Sequence, residues 1–120
     1  MVVSTLRLFP SSEQRRHVLS VFRSVQGPVQ ALAHCLSSRL FEEDGGDEGV
    51  LYVEQWDSEP ELYQHLRSDL YNRVLAITEL SRTQPEFHFY YVKESRGMEL
   101  IESLRTQKFN GQNEPNHPDS

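Results

Sequence analysis

The stretch VLYVEQWDSEPELYQHLRSDLY, residues 50–71, decides the fold, because an alternating strand ends on a tryptophan and turns at once into a capped helix. Val50, Tyr52, Glu54 and Trp56 fall on one strand face and Leu51, Val53 and Gln55 on the other, so one face carries a polar and aromatic row suited to lining a cavity. Ser58-x-x-Glu61 forms a capping box, and Pro60 in the first turn lacks a backbone N–H that would be unpaired there in any case. The helix places Leu62, Leu66, Leu70, Val74 and Ile77 on one side and runs to about Ser81. Ser68-Asp69 in its middle binds its own backbone easily, which predicts a kink or a second helix start.

Upstream, residues 2–9 alternate as a strand until Pro10-Ser11-Ser12. Ser11-x-x-Gln14 is a second capping box, and Val18, Val21, Phe22 and Val25 follow at helical spacing up to Gly27-Pro28, where the helix is expected to end. Residues 34–43 alternate again and reach the acidic, glycine-rich EEDGGDEG, so this strand should pair with residues 50–56 as an antiparallel hairpin with a long, mobile loop. The loop lacks the twelve-residue ligand spacing of a calcium site and reads as a solvated turn. After Pro85, PEFHFYYVKE gives a fourth strand whose aromatic density suggests that both faces are covered. A short amphipathic helix over about Met98 to Leu104 should follow, and residues 106–120 should be a disordered tail or one held only by a partner.

The order strand, helix, strand, strand, helix, strand is the α+β, ferredoxin-like βαββαβ pattern: a four-stranded antiparallel sheet with two helices on one face, in one domain over residues 1–105. Leu6, Leu8, Leu36, Leu40, Leu51 and Val53 are expected to share one apolar face and Tyr52, Glu54 and Trp56 the opposite one, with the helix-covered face left open. Only two long helices serve a sheet that is apolar on both sides, which predicts a homodimer burying the second face.

Composition removes several functions. With 120 residues and a net charge of -6, the 12 Lys and Arg are too dispersed for a nucleic-acid surface. No apolar run reaches bilayer length and the N-terminus does not read as a signal peptide, so the expectation is a cytoplasmic protein off the membrane. Cys35 is the only cysteine, which closes internal disulfides and thiolate cages, and no histidine spacing supports a metal. Dinucleotide, P-loop and nucleophile-elbow motifs are absent.

Glu54-x-Trp56, the following S-x-x-x-L-x-x-H-L-x-S helix (Ser58, Leu62, His65, Leu66, Ser68) and the strand after a proline resemble the antibiotic biosynthesis monooxygenase family over residues 2–96. The resemblance implies a dimeric α/β barrel in which Trp56 and His65 border a pocket between helices and sheet. It further implies oxidation of a small quinol- or anthrone-like phenolic compound by molecular oxygen with no cofactor, neither metal nor flavin. Deprotonation makes such a substrate an electron donor to oxygen, so a base and an aromatic wall suffice. His65 is then the candidate base and Glu54 its partner or orienting group, with Trp56, Tyr52, Arg39 and Tyr90 as candidate substrate contacts. A haem-degrading branch of the same family uses a first-strand asparagine that this chain lacks.

Structural readings stand beside these. His65 could bond a backbone carbonyl, Trp56 could fill the core, Glu54 could pair with Arg39 or Arg7, and Cys35 could be a small core residue. His34 and His88 lie farther from the motif, within reach of the pocket only through strand pairing. The alternative function is a non-catalytic small-molecule-binding or stress-related dimeric domain; an isomerase or decarboxylase using the same base is a third.

Overall fold

A computed structural model describes residues 1–110. Strand β1 (Val2–Leu8), helix α1 (Arg15–Gln30), strands β2 (Cys35–Glu42) and β3 (Val50–Trp56), helices α2 (Glu59–Leu66) and α3 (Asp69–Ile77), a 3₁₀ turn at Thr78–Leu80, strand β4 (Glu86–Tyr91) and helix α4 (Met98–Asn110) follow in order. The sheet order is β2-β3-β1-β4 with every neighbouring pair antiparallel, the ferredoxin-like arrangement that the element order predicts.

Register decides which side chains meet the helices. Leu6 lies opposite Tyr52 on β3, and Leu40 of β2 lies opposite Tyr52 from the other side. Leu6, Leu8 and Leu40 therefore share the helix-covered face with Tyr52, Glu54 and Trp56, while Leu51 and Val53 lie on the open face. The apolar grouping expected from sequence is corrected accordingly. α1 supplies Val18, Leu19, Phe22, Val25 and Val29 to the core, and α2 and α3 add Leu62, Val74 and Ile77.

Local features differ from expectation at both ends of α1 and in the exposure of β4. Gln14, not Ser11, takes the N-cap of α1, and Ser11 instead closes the turn before it by accepting the Gln14 N–H on its carbonyl and hydroxyl oxygens. α1 continues through Gly27 and Pro28, because fully buried Val25 and Val29 hold its last turns to the core. Gln26 and Gln30 also both donate to the Ser38 carbonyl, at 3.0 and 2.9 Å, and tie that end to β2. Finally, β4 is exposed at all six residues of this chain, since it lies at the sheet edge against β1 alone.

The long second helix is broken where Ser68-Asp69 predicts. Ser68 is the N-cap of α3, accepting from Tyr71 N–H, and Ser58 caps α2 by accepting from Glu61 N–H. α4 extends past the expected Leu104, so residues 106–110, expected in the tail, are helical; residues 111–120 lie outside the described residues. Met98, Ile101 and Leu104 on α4 are exposed.

Candidate active site

Glu54 points from a central strand into the helix layer and is 1% exposed, where an unpaired carboxylate would be strongly unfavourable. Two donors satisfy it. Trp56 Nε1 donates to Oε1 at 2.9 Å, an arrangement possible because residues two apart on a strand share a face. His65 Nε2 lies 3.1 Å from Oε2, brought there by the immediate turn from β3 into α2. With the carboxylate charge facing it, Nε2 carries the proton and donates. The partner of Glu54 is thus His65 with Trp56, not Arg39 or Arg7; Arg7 is engaged by Glu43 at 2.8 Å.

The imidazole is fixed from both sides. Its ring stacks on Trp56 with centroids 5.2 Å apart, and Tyr71 approaches edge-on at 5.3 Å. His65 Nδ1 is buried and has no hydrogen-bond partner among the described residues. In the Nε2–H tautomer that nitrogen holds a free lone pair, so the arrangement is a carboxylate-oriented imidazole with one acceptor unused.

The Glu54 charge is felt around the site. Burial, reinforced by that charge, pushes the Tyr52 and Tyr71 hydroxyls well above the usual tyrosine range, so both stay protonated. The same two causes push the Cys35 thiol up to about 11, which removes it as a thiolate nucleophile near neutral pH.

Trp56 and His65 form the inner wall of a partly open cavity of about 300 Å³. Leu32 and Ala33, from the corner between α1 and β2, face them, and Leu70 closes an apolar side. Glu61, Gln64 and Ser68 give it a polar rim from α2 and the turn after it. The volume is at the lower end for small-ligand sites.

Of the residues singled out by sequence, the structure brings Glu54, Trp56 and His65 together. Tyr52 shares their face next to Glu54 but does not line the cavity, its hydroxyl 2.9 Å from Ser38 Oγ and its ring stacked on Phe22. Arg39 and Tyr90 are exposed on the opposite sheet face, opposite Val53 and Val3 in register, and do not reach this cavity. Ser68, part of the sequence motif, stands three residues from His65 and reaches the rim at helical spacing, whereas Gln64 and Tyr71 have no such local sign. Leu32 and Ala33 arrive by tertiary packing, for which the sequence has no local sign. No group of three or more His, Cys, Asp or Glu side chains that could hold a metal occurs among the described residues.

A four-stranded antiparallel sheet with helices on one face, and a buried carboxylate behind the imidazole and indole of a cavity wall, places the chain among small ferredoxin-like α+β domains. Within that class, residues 1–77 match the family model for antibiotic biosynthesis monooxygenase, and the chain belongs to that family. Among solved structures, Rv0793 from Mycobacterium tuberculosis is similar at 21% identity and TM-score 0.72, over 80% of this chain and 98% of that one. A mutant of SnoaB, a cofactor-independent oxygenase from Streptomyces nogalater, is similar at 15% identity and TM-score 0.66, over 78% and 94%. These likenesses concern the fold. No curated protein sequence compared with the chain matches it.

Proposed function

We propose that this chain is a monooxygenase that oxidises a small quinol- or anthrone-like aromatic compound with molecular oxygen and without metal or flavin. The observation that carries the reading is the unused Nδ1 of His65, on an imidazole oriented by Glu54 and stacked on Trp56 at the wall of an apolar cavity. Nδ1 accepts the phenolic proton, Glu54 holds the resulting imidazolium, and Trp56 packs against the ring system. The substrate anion then passes an electron to oxygen, and the two radicals combine. For an anthrone, the ring CH₂ loses both hydrogens, one oxygen atom becomes the new carbonyl and the other leaves as water. An apolar cavity favours this by limiting proton exchange at the anion.

The test is oxygen uptake with a panel of hydroquinones and anthrones. His65→Ala should lower the rate by roughly 100-fold or more, as removal of a general base does. Equal rates in wild type and variant would remove His65 from the mechanism. A second reading, binding without turnover, is favoured by the near-complete burial of the His65 and Glu54 side chains, each 1% exposed. Saturable binding of the same compounds with no oxygen uptake would establish it.

The functional unit is proposed to be a homodimer joined through the open sheet face, where Phe41 and Tyr90 are about half exposed. Light scattering should give twice 14.0 kDa, and 14.0 kDa at micromolar concentration would contradict the barrel. No helix among the described residues is long and apolar enough to cross a membrane. The lone Cys35 fits the reducing cytoplasm, which is the proposed compartment.

A further inference from the structure

His34 is one of two non-glycine residues with positive φ among the described residues, at 74°, and it lies where β2 begins beside the cavity. A side chain in the left-handed region is held there by its surroundings, and such residues concentrate at functional sites. The turn it occupies is closed by Cys35 N–H donating to the Leu32 carbonyl at 3.3 Å, and two further bonds tie His34 to Asp57. The Asp57 N–H donates to the His34 carbonyl at 3.0 Å, and His34 Nδ1 lies 2.9 Å from Asp57 Oδ1. Each bonded residue adjoins lining residues of the cavity: Ala33 and Leu32 precede His34, and Trp56 precedes Asp57. The register of β2 on β3 shifts between Cys35 and Ser37, and Cys35 beside His34 pairs with Trp56. A bulge of this kind bends the strand and re-aims the residues beyond it, here the corner that carries Leu32 and Ala33.

We propose that the His34–Asp57 pair is a clasp that sets the separation of the two cavity walls and thereby controls which molecules reach Trp56. The pair is half exposed, with side chains at 49% and 50%, so as a surface contact it contributes little to global stability. Its effect is local: it fixes the Leu32–Ala33 corner against the end of β3. His34 and Asp57 are positioning residues, acting through the wall that faces Trp56 and His65. This inference rests on the cavity being the functional site, yet its test needs no turnover.

Trp56 is the only tryptophan, so its fluorescence reports on the cavity alone. Acrylamide, small and uncharged, is the probe. Wild type, with Trp56 1% exposed, should be quenched weakly. His34→Gly accepts the left-handed backbone but removes the donor, and Asp57→Ala removes the acceptor without touching that backbone. Both should raise the quenching constant roughly threefold or more through local opening, with the thermal midpoint close to wild type. His34→Asn tolerates the same φ and presents a side-chain N–H at the position of Nδ1, so it should quench like wild type. Wild-type quenching in His34→Gly and Asp57→Ala, or opening in His34→Asn equal to that in His34→Gly, would overturn the clasp. Absence of oxygen uptake would instead count against the oxygenase reading and leave these quenching results standing.

Discussion

β3 and β4 both carry aromatic residues at alternating positions, and they meet opposite fates. On β3 the row Val50, Tyr52, Glu54 and Trp56 is at most 2% exposed, whereas on β4 Phe87, Phe89, Tyr90 and Tyr91 are each at least 36% exposed. The difference lies in place rather than composition. β3 is flanked by β2 and β1 and roofed by helices, while β4 has β1 on one side and an open edge on the other. An aromatic strand therefore shows that something must cover it, and only sheet order says whether its own chain supplies the cover.

The sharpest way to break this contrast is Trp56→Ala. Removing a fully buried indole leaves a cavity beside His65 and removes one donor from Glu54, so urea unfolding should show a loss of about 3–5 kcal/mol. The corresponding truncation of Phe89 should cost far less, and near-equal losses would mean that the two strands are equivalent in the core. Glu54→Leu comes next. It leaves Trp56 Nε1 and His65 Nε2 as buried donors without an acceptor, a loss of roughly 2–3 kcal/mol. Glu54→Gln keeps one acceptor oxygen and should fall between Leu and wild type in the same assay. A Leu variant as stable as wild type would show that the cluster is dispensable for folding and held for chemistry alone.

Much of this was legible in the chain. The alternation of residues 50–56, the Ser58 cap and the Ser68 start each rest on local chemistry, and all appear where the sequence places them. The cluster was legible for the same reason: Glu54, Trp56 and His65 span a single strand-to-helix turn. What alternation cannot give is the relation between strands. It sorts each strand into two sets but does not say which set of β1 or β2 matches which set of β3. That one missing parity grouped Leu6 and Leu40 away from Tyr52, and brought Arg39 and Tyr90 into a site that lies on the other face. The His34–Asp57 contact was farther out of reach, since it depends on a left-handed φ and on the meeting of two corners 23 residues apart.

A smaller effect probes the junction that carries the site. Ser68 accepts from Tyr71 N–H and its hydroxyl donates to the His65 carbonyl at 2.6 Å, so it joins the end of α2 to the start of α3. Ser68→Ala should cost about 1 kcal/mol, as loss of an N-cap does, with a thermal midpoint lowered by a few degrees. The same substitution at Ser58 should cost a similar amount, because it also accepts one N–H in the first turn. A much larger loss at Ser68 would show that the cap also supports the buried cluster through His65 and Tyr71.

The smallest effect on folding is expected on β4, and there it is the most informative. Tyr90 is 52% exposed, stacks on His88 at 5.9 Å, and faces away from the helices opposite Val3. Tyr90→Ser should change the unfolding free energy of a single chain by no more than about 0.5 kcal/mol, the range for a surface substitution. If a second copy covers this face, the same change removes an aromatic anchor from the interface, and dissociation should become roughly tenfold easier or more in a dilution series followed by light scattering. Loss of association with folding intact would show that β4 is a core strand whose cover comes from another chain, which makes it the counterpart of β3 rather than its opposite. Unchanged association would place the contact elsewhere and leave the exposure of β4 a property of the edge.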